Sequence, residues 1–162
     1  MTATRHSITK RRHEAQGGNT LIEFAMSFTI LFLVLAGVFQ FGYGFYAYNV
    51  LVNSVRDAAR YGSNYPYSST TTMPDTTYLT NVQNMVVYGT PSPASGANPM
   101  VAGLTTRNVS VVMTGGKTGG LTPPARVTVS IVNFTLDAAI TTFSLNGRPN
   151  CSFPYTGLLT PP

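Results

Sequence analysis

The chain has 162 residues and a formal net charge of +5, with only 9% of its residues charged. That length accommodates one membrane-anchored domain and is too short for two full domains beside a long helix. So few charges among abundant Thr, Ser, Asn, Gly and Tyr suit an exported surface better than a cytosolic enzyme.

The basic excess is local. Arg5, Lys10, Arg11 and Arg12 against Glu14 place most of it ahead of the first apolar run, which argues against a nucleic-acid partner. Residues 1–18 are polar and lack an apolar period, so they read as a disordered, basic, cytoplasmic leader. Gly17 and Gly18 are expected to break any helix there, and glycine leaves backbone accessible to a processing enzyme. A plain linker, with Asn19 or Thr20 as an N-cap, explains the glycines equally well.

Residues 19–62 read as one transmembrane and stalk helix. From Phe24 to Val55 there is no charged side chain, a run long enough to cross a bilayer with roughly 20 residues. At about 1.5 Å per residue the whole helix would reach roughly 66 Å, so its second half must stand in water or against protein. Basic residues before the run keep the N-terminus cytoplasmic and send the C-terminal part across. An ordinary signal peptide cut near Gly37 is the rival reading, but the uncharged run continues well past that point.

Glu23 breaks the pattern. An ionised carboxylate just inside an apolar run is costly unless paired, and no basic residue follows until Arg56. A cut after Gly18 would create an α-amino group on Asn19, with Glu23 at the fifth mature position, and so supply the missing cation. A basic leader, a glycine and a glutamate opening a long apolar helix resemble a prepilin. The continuation FGYGFYAYNVLVNSVRDAARYG narrows this: it is similar to the TadE family of pilus-assembly proteins, which carry an aromatic and glycine segment followed by a motif like A-R-x-x-A-R-Y. Here Arg56, Asp57, Arg60 and Tyr61 stand in that motif, with Val55 where Ala is commoner.

The resemblance covers residues 17–64 and implies a minor pilin or pseudopilin of a Tad-type pilus or secretion apparatus. It implies processing between Gly18 and Asn19 by a prepilin peptidase, and a subunit-packing charge at Glu23. It further implies a single pass through a bacterial inner membrane, and partnership with other pilin-like subunits and an inner-membrane assembly platform. A type II secretion pseudopilin is the alternative, although Asn19 stands where those proteins prefer Phe. A membrane-anchored surface-binding protein is another, with Tyr65, Tyr67, Tyr78 and Tyr88 available for contact.

Gly37, Gly42 and Gly44 do not pair at the four-residue spacing of a helix-dimer motif. With Gln40 they mark either a weakened segment that can bend or a place of close packing. Beyond them Tyr48, Leu51, Val52, Val55, Ala59 and Gly62 follow helical spacing as a candidate buried face, opposite Asn49, Asn53, Arg56, Asp57 and Arg60. Asp57 and Arg60 can pair, and Arg56 and Arg60 either meet acidic groups of a neighbour or form a solvated face. Gly62 is expected to end the helix.

Residues 63–162 read as a small extracytoplasmic α+β domain with one short helix and an antiparallel sheet of three or four strands. A polar connector (63–75) leads to Asp75, a candidate cap for a helix over Thr76–Tyr88 with Tyr78, Leu79, Val82, Met85 and Val86 on its apolar face. Residues 89–104 read as a surface loop. Segments 108–113 and 126–133 alternate and form an antiparallel pair, joined by a glycine-rich connector too long for a tight hairpin. Residues 134–145 are either a short helix or a continuation of the second strand, and 150–159 a third strand interrupted by Pro154.

An enzyme is not expected. After Glu23 the only carboxylates are Asp57, Asp75 and Asp137, both histidines (His6 and His13) precede the proposed cut, and Cys151 is the single cysteine. No paired-acid site, metal cluster, phosphate loop or cofactor is expected from that set. The N-x-[ST] tripeptides at Asn108, Asn133 and Asn150 read as chance.

Overall fold

The computed structural model describes residues 6–66, 74–115, 123–138 and 141–157. Tyr67, the glycine-rich tip of the 114–125 connector and the last residues of the tail lie outside these. The chain divides into two units, Met1–Gly42 and Tyr43–Pro162.

The first unit is the N-terminal part of helix α1 (His6–Asn64). Its side chains from Leu21 to Phe41 are largely exposed and apolar, and the helix from residue 18 onward is long and apolar enough to cross a membrane. Phe24, Phe28 and Phe32 stack one turn apart, with ring centroids 6.0 and 6.4 Å from each other. The expected break at Gly17 and Gly18 does not occur, for α1 begins at His6 and runs through both. Glycine in a helix interior costs only about 1 kcal/mol, and extending a helix already nucleated on either side demands far less than starting one.

In the second unit α1 turns one face inward. Gly44, Ala47, Leu51, Ser54, Val55, Ala58, Ala59, Gly62 and Ser63 are buried, and the Ser54 hydroxyl donates to the Leu51 carbonyl at 3.1 Å. This face is rotated from the expected one: Tyr48 is 38% exposed and Val52 only half-buried. Ala47 and Ala58 replace them, because small side chains let neighbouring elements approach the helix while a tyrosine keeps its hydroxyl in water. Nor does Gly62 end the helix, which continues to Asn64. A Cβ on Gly62 would lie 2.7 Å from the Tyr78 hydroxyl and 3.2 Å from Val82 Cγ2, so this glycine serves close packing.

Helix α2 (Thr76–Tyr88) has the bounds read from its sequence. The Asp75 carboxylate caps it by accepting from the Tyr78 N–H, and Gly89, at φ 73°, closes it with its own N–H donated to the Met85 carbonyl. Tyr78, Val82, Val86 and Val87 are buried, while Leu79 and Met85 form the half-buried margins of that face. The loop after α2 is not merely surface: Val101 and Leu104 are buried, and the Met100 N–H donates to the Val87 carbonyl at 2.8 Å.

Five strands follow, β1 (Val109–Thr114), β2 (Arg126–Ile131), β3 (Phe134–Ala138), β4 (Thr141–Leu145) and β5 (Asn150–Pro154). One antiparallel sheet has the order β1-β2-β5, with Val111 opposite Val129 and Val129 opposite Cys151. Val127, Val129 and Ile131 are fully buried, as their alternation predicts. Helix α2 packs beside β1, where the Gln83 amide donates to the Val109 carbonyl at 3.2 Å. Pro154 ends β5 rather than interrupting it, a position open to proline because β5 is an edge strand.

Residues 134–145 correct the expectation of a helix or a longer β2. Strands β3 and β4 form a separate two-stranded sheet, with Leu136 opposite Phe143. Asn133 causes the break, since its φ of 49° lies in the left-handed region that asparagine tolerates better than most residues. Asn108 fastens this corner by accepting the Val132 N–H on its carbonyl and donating its amide to the Asn133 carbonyl, both at 2.8 Å. The Asn150 amide likewise donates to the Gly147 carbonyl at 2.9 Å. All three asparagines of the N-x-[ST] tripeptides therefore sit at chain reversals or bind one.

Candidate functional site

The sequence-derived site residues fall into two groups on α1. In the first, Gly18 lies within α1, and beyond the helix's own backbone nothing stands within 4 Å of where a Cβ would be. Asn19 and Glu23 lie four residues apart and so share one side of the helix. With Ile22, Met26, Ser27 and Ile30 they line a shallow groove along it. Glu23 is exposed and has no ion-pair partner among the described residues. A carboxylate set at the head of an apolar helical strip can select a cation at one height and leave the remaining contact to van der Waals packing.

The second group is divided by burial. Arg56, Asp57 and Arg60 are exposed, and the expected Asp57–Arg60 pairing is not formed, since neither side chain has an ion-pair partner among the described residues. Ala58 and Ala59, between them, are fully buried in the core. The motif's spacing thus holds its charges outward by fixing two alanines inward. Asp57, Arg60 and Tyr61 come together at the rim of an open groove completed by Asn64, Tyr65 and Pro66, and Arg56 lies outside that lining.

Tyr61 belongs to the packing rather than to the charged surface. Its ring lies 5.3 Å from that of Tyr65, which meets Tyr78 edge-on at 5.9 Å. Partial burial, and secondarily the neighbouring Tyr65 hydroxyl, raise the Tyr61 pKa above the usual tyrosine value, so it stays neutral. The Tyr78 hydroxyl donates to the Gly62 carbonyl at 2.7 Å and ties α2 to the last turn of α1. From the tail, the Thr156 and Gly157 N–H groups both donate to the Ser63 carbonyl at 2.9 Å, and the Tyr155 hydroxyl donates to the Tyr65 carbonyl at the same distance. The helix end that carries the motif is thus capped by a strap from the far end of the chain.

Reading the sequence missed Tyr78 and Tyr155 as supports of this motif. Small residues at 44, 47, 54, 58 and 62 are the signal that would have aligned the inner face correctly, and Tyr155 left none.

No curated protein and no solved structure matches this chain. Residues 18–60, which begin at Gly18, contain Asn19 and Glu23 and end on Arg60, match the family model of TadE-like proteins, and in that segment the chain is similar to them.

Proposed function

We propose that this protein is a prepilin-like minor pilin or pseudopilin, cut after Gly18 by a prepilin peptidase and assembled in a Tad-type pilus or secretion apparatus. The observation that carries this reading is the TadE-like segment at residues 18–60, which links the chain to Tad pilus assembly. The basic leader stays on the cytoplasmic face of a bacterial inner membrane, α1 spans it once, and the α+β domain stands outside. The peptidase, other pilin-like subunits and an assembly platform in that membrane are its partners.

Cleavage exposes an α-amino group on Asn19, and Glu23 of a neighbouring subunit receives that cation during packing. Burying either charge alone costs several kcal/mol, so the pair works chiefly as a register device that rejects slipped helices. The shared helix side of Asn19 and Glu23 supports this role. The exposed charges of Arg56, Asp57 and Arg60 give a neighbouring domain polar contacts that do not disturb the core.

The test is the N-terminal residue of the protein recovered from cells with and without a prepilin peptidase, read by mass spectrometry. A peptidase-dependent start at Asn19 is expected. A start at Met1 or Thr2, or a cut near Gly37, would remove the pilin-like route.

A further inference from the structure

One turn of α1, residues 43–46, carries Tyr43, Gly44, Phe45 and Tyr46. Successive residues of an α-helix are about 100° apart, so these four face four directions at one level. Three of them are aromatic and exposed, Tyr43 by 45% and Phe45 and Tyr46 by 67% each. The fourth direction holds the glycine, and there β4 contributes the missing ring: Phe143 Cε2 lies 3.4 Å from where a Gly44 Cβ would stand. Gly44 is buried by this contact, while Phe143 itself remains 38% exposed between the exposed residues Thr142 and Ser144.

We infer that Tyr43, Phe45, Tyr46 and Phe143 form an aromatic collar that seats in the interfacial, headgroup-level region of the bilayer, with β4 resting on the membrane surface. The inference rests on the membrane-anchoring reading of α1 and adds the depth and footing of the folded unit. Three observations choose lipid as the occupant. The collar continues directly along α1 from its apolar run. Tyr43 follows Glu23 by about 20 residues, roughly 30 Å of helix, and the hydrocarbon core is about 30 Å thick, which puts the collar at the second interface. Rings with an apolar body and a polar rim collect at that level, and the hydroxyl-bearing residues beside Phe143 suit hydrated headgroups. A Cβ at 44 would stand at ordinary van der Waals distance from the Phe143 ring, so this position accepts only a small residue beside it.

The chain contains no tryptophan, so a single substitution gives one indole reporter. The full chain, as Phe143→Trp, Tyr46→Trp, Phe32→Trp or Val112→Trp, is reconstituted in phosphatidylcholine and phosphatidylglycerol vesicles. The lipids are brominated either near the headgroup or near the chain end. The expected result is loss of emission at 143 and 46 that is greater with shallow bromines than with deep ones, the reverse order at 32, and iodide quenching alone at 112. Tyr46→Trp leaves Phe143 in place, so it reads the same level even if the substitution at 143 disturbs folding. Deep quenching at 32 with iodide quenching at 143 and 46 would overturn the collar and leave the anchor standing. Shallow quenching at 46 with iodide quenching at 143 would remove β4 from the membrane. No lipid quenching at 32 would overturn the anchor and the collar together. Shielding of 143 from both quenchers, lost when protein is diluted in lipid, would assign the ring to a second copy instead.

Discussion

Gly62 illustrates how one residue can be required for its absence of a side chain. Ala is a better helix former than Gly by about 1 kcal/mol, so Gly62→Ala would stabilise α1 if the site were open. It is not open, because the new Cβ would lie 2.7 Å from the Tyr78 hydroxyl. That hydroxyl is buried and donates to the Gly62 carbonyl itself, so it cannot swing away without losing its bond. Overpacking typically costs about 1–3 kcal/mol, and an unsatisfied buried polar group about 1–3 kcal/mol more; either outweighs the gain in propensity. Gly62→Ala is therefore expected to destabilise the second unit by about 1–3 kcal/mol, read as a lowered denaturation midpoint of the full chain in detergent. Gly42→Ala, at a position with nothing within 4 Å, should be neutral or slightly stabilising, and equal losses at both positions would show that the contact with Tyr78 is not what matters at Gly62.

At the scale of elements, what was legible in the sequence depended on how local the cause was. Helix α2 has its cap, its apolar spacing and its closing glycine within or beside its own residues, and its bounds follow from them. Asp75→Ala should accordingly cost about 1 kcal/mol by leaving the first turn uncapped, measured by denaturation, with Asp75→Asn recovering most of the loss; an unchanged midpoint in Asp75→Ala would remove the cap from the account. Strands β1 and β2 were legible for the same reason, since period-two alternation is written in each strand. The break between β2 and β3 was not, because it is made by Asn133 in a left-handed turn held by Asn108, far earlier in the chain. The inner face of α1 was misaligned by one step because Tyr48 and Val52 look more apolar than Ala47 and Ala58, whereas the fold selects for size at that surface. Among site residues, Glu23 stood out as a charge in an apolar run. The ring facing Gly44 comes from Phe143, and no local pattern announces it.

For the whole molecule the decisive question raised by the proposed function is whether Glu23 would act in processing or in packing, and Glu23→Gln separates the two. Gln keeps the shape and helix propensity of the side chain and removes only the charge. No Glu23 atom lies within 4 Å of where a Gly18 Cβ would stand, so under the proposed function cleavage should proceed and the mature chain should still begin at Asn19. In a packed assembly, however, the Asn19 amine of a neighbour would then be buried without its partner. Breaking a buried ion pair from one side costs about 3–5 kcal/mol, and each 1.4 kcal/mol is about tenfold in an equilibrium. The Glu23→Gln chain should therefore mature normally yet fall by about tenfold or more in assembled material, measured as the ratio of mature protein in sheared filaments to that in membranes. Normal incorporation would remove the charge-pair role. Loss of cleavage would instead move Glu23 into recognition by the peptidase, and the register argument would then have to rest on the apolar strip from Ile22 to Ile30 alone.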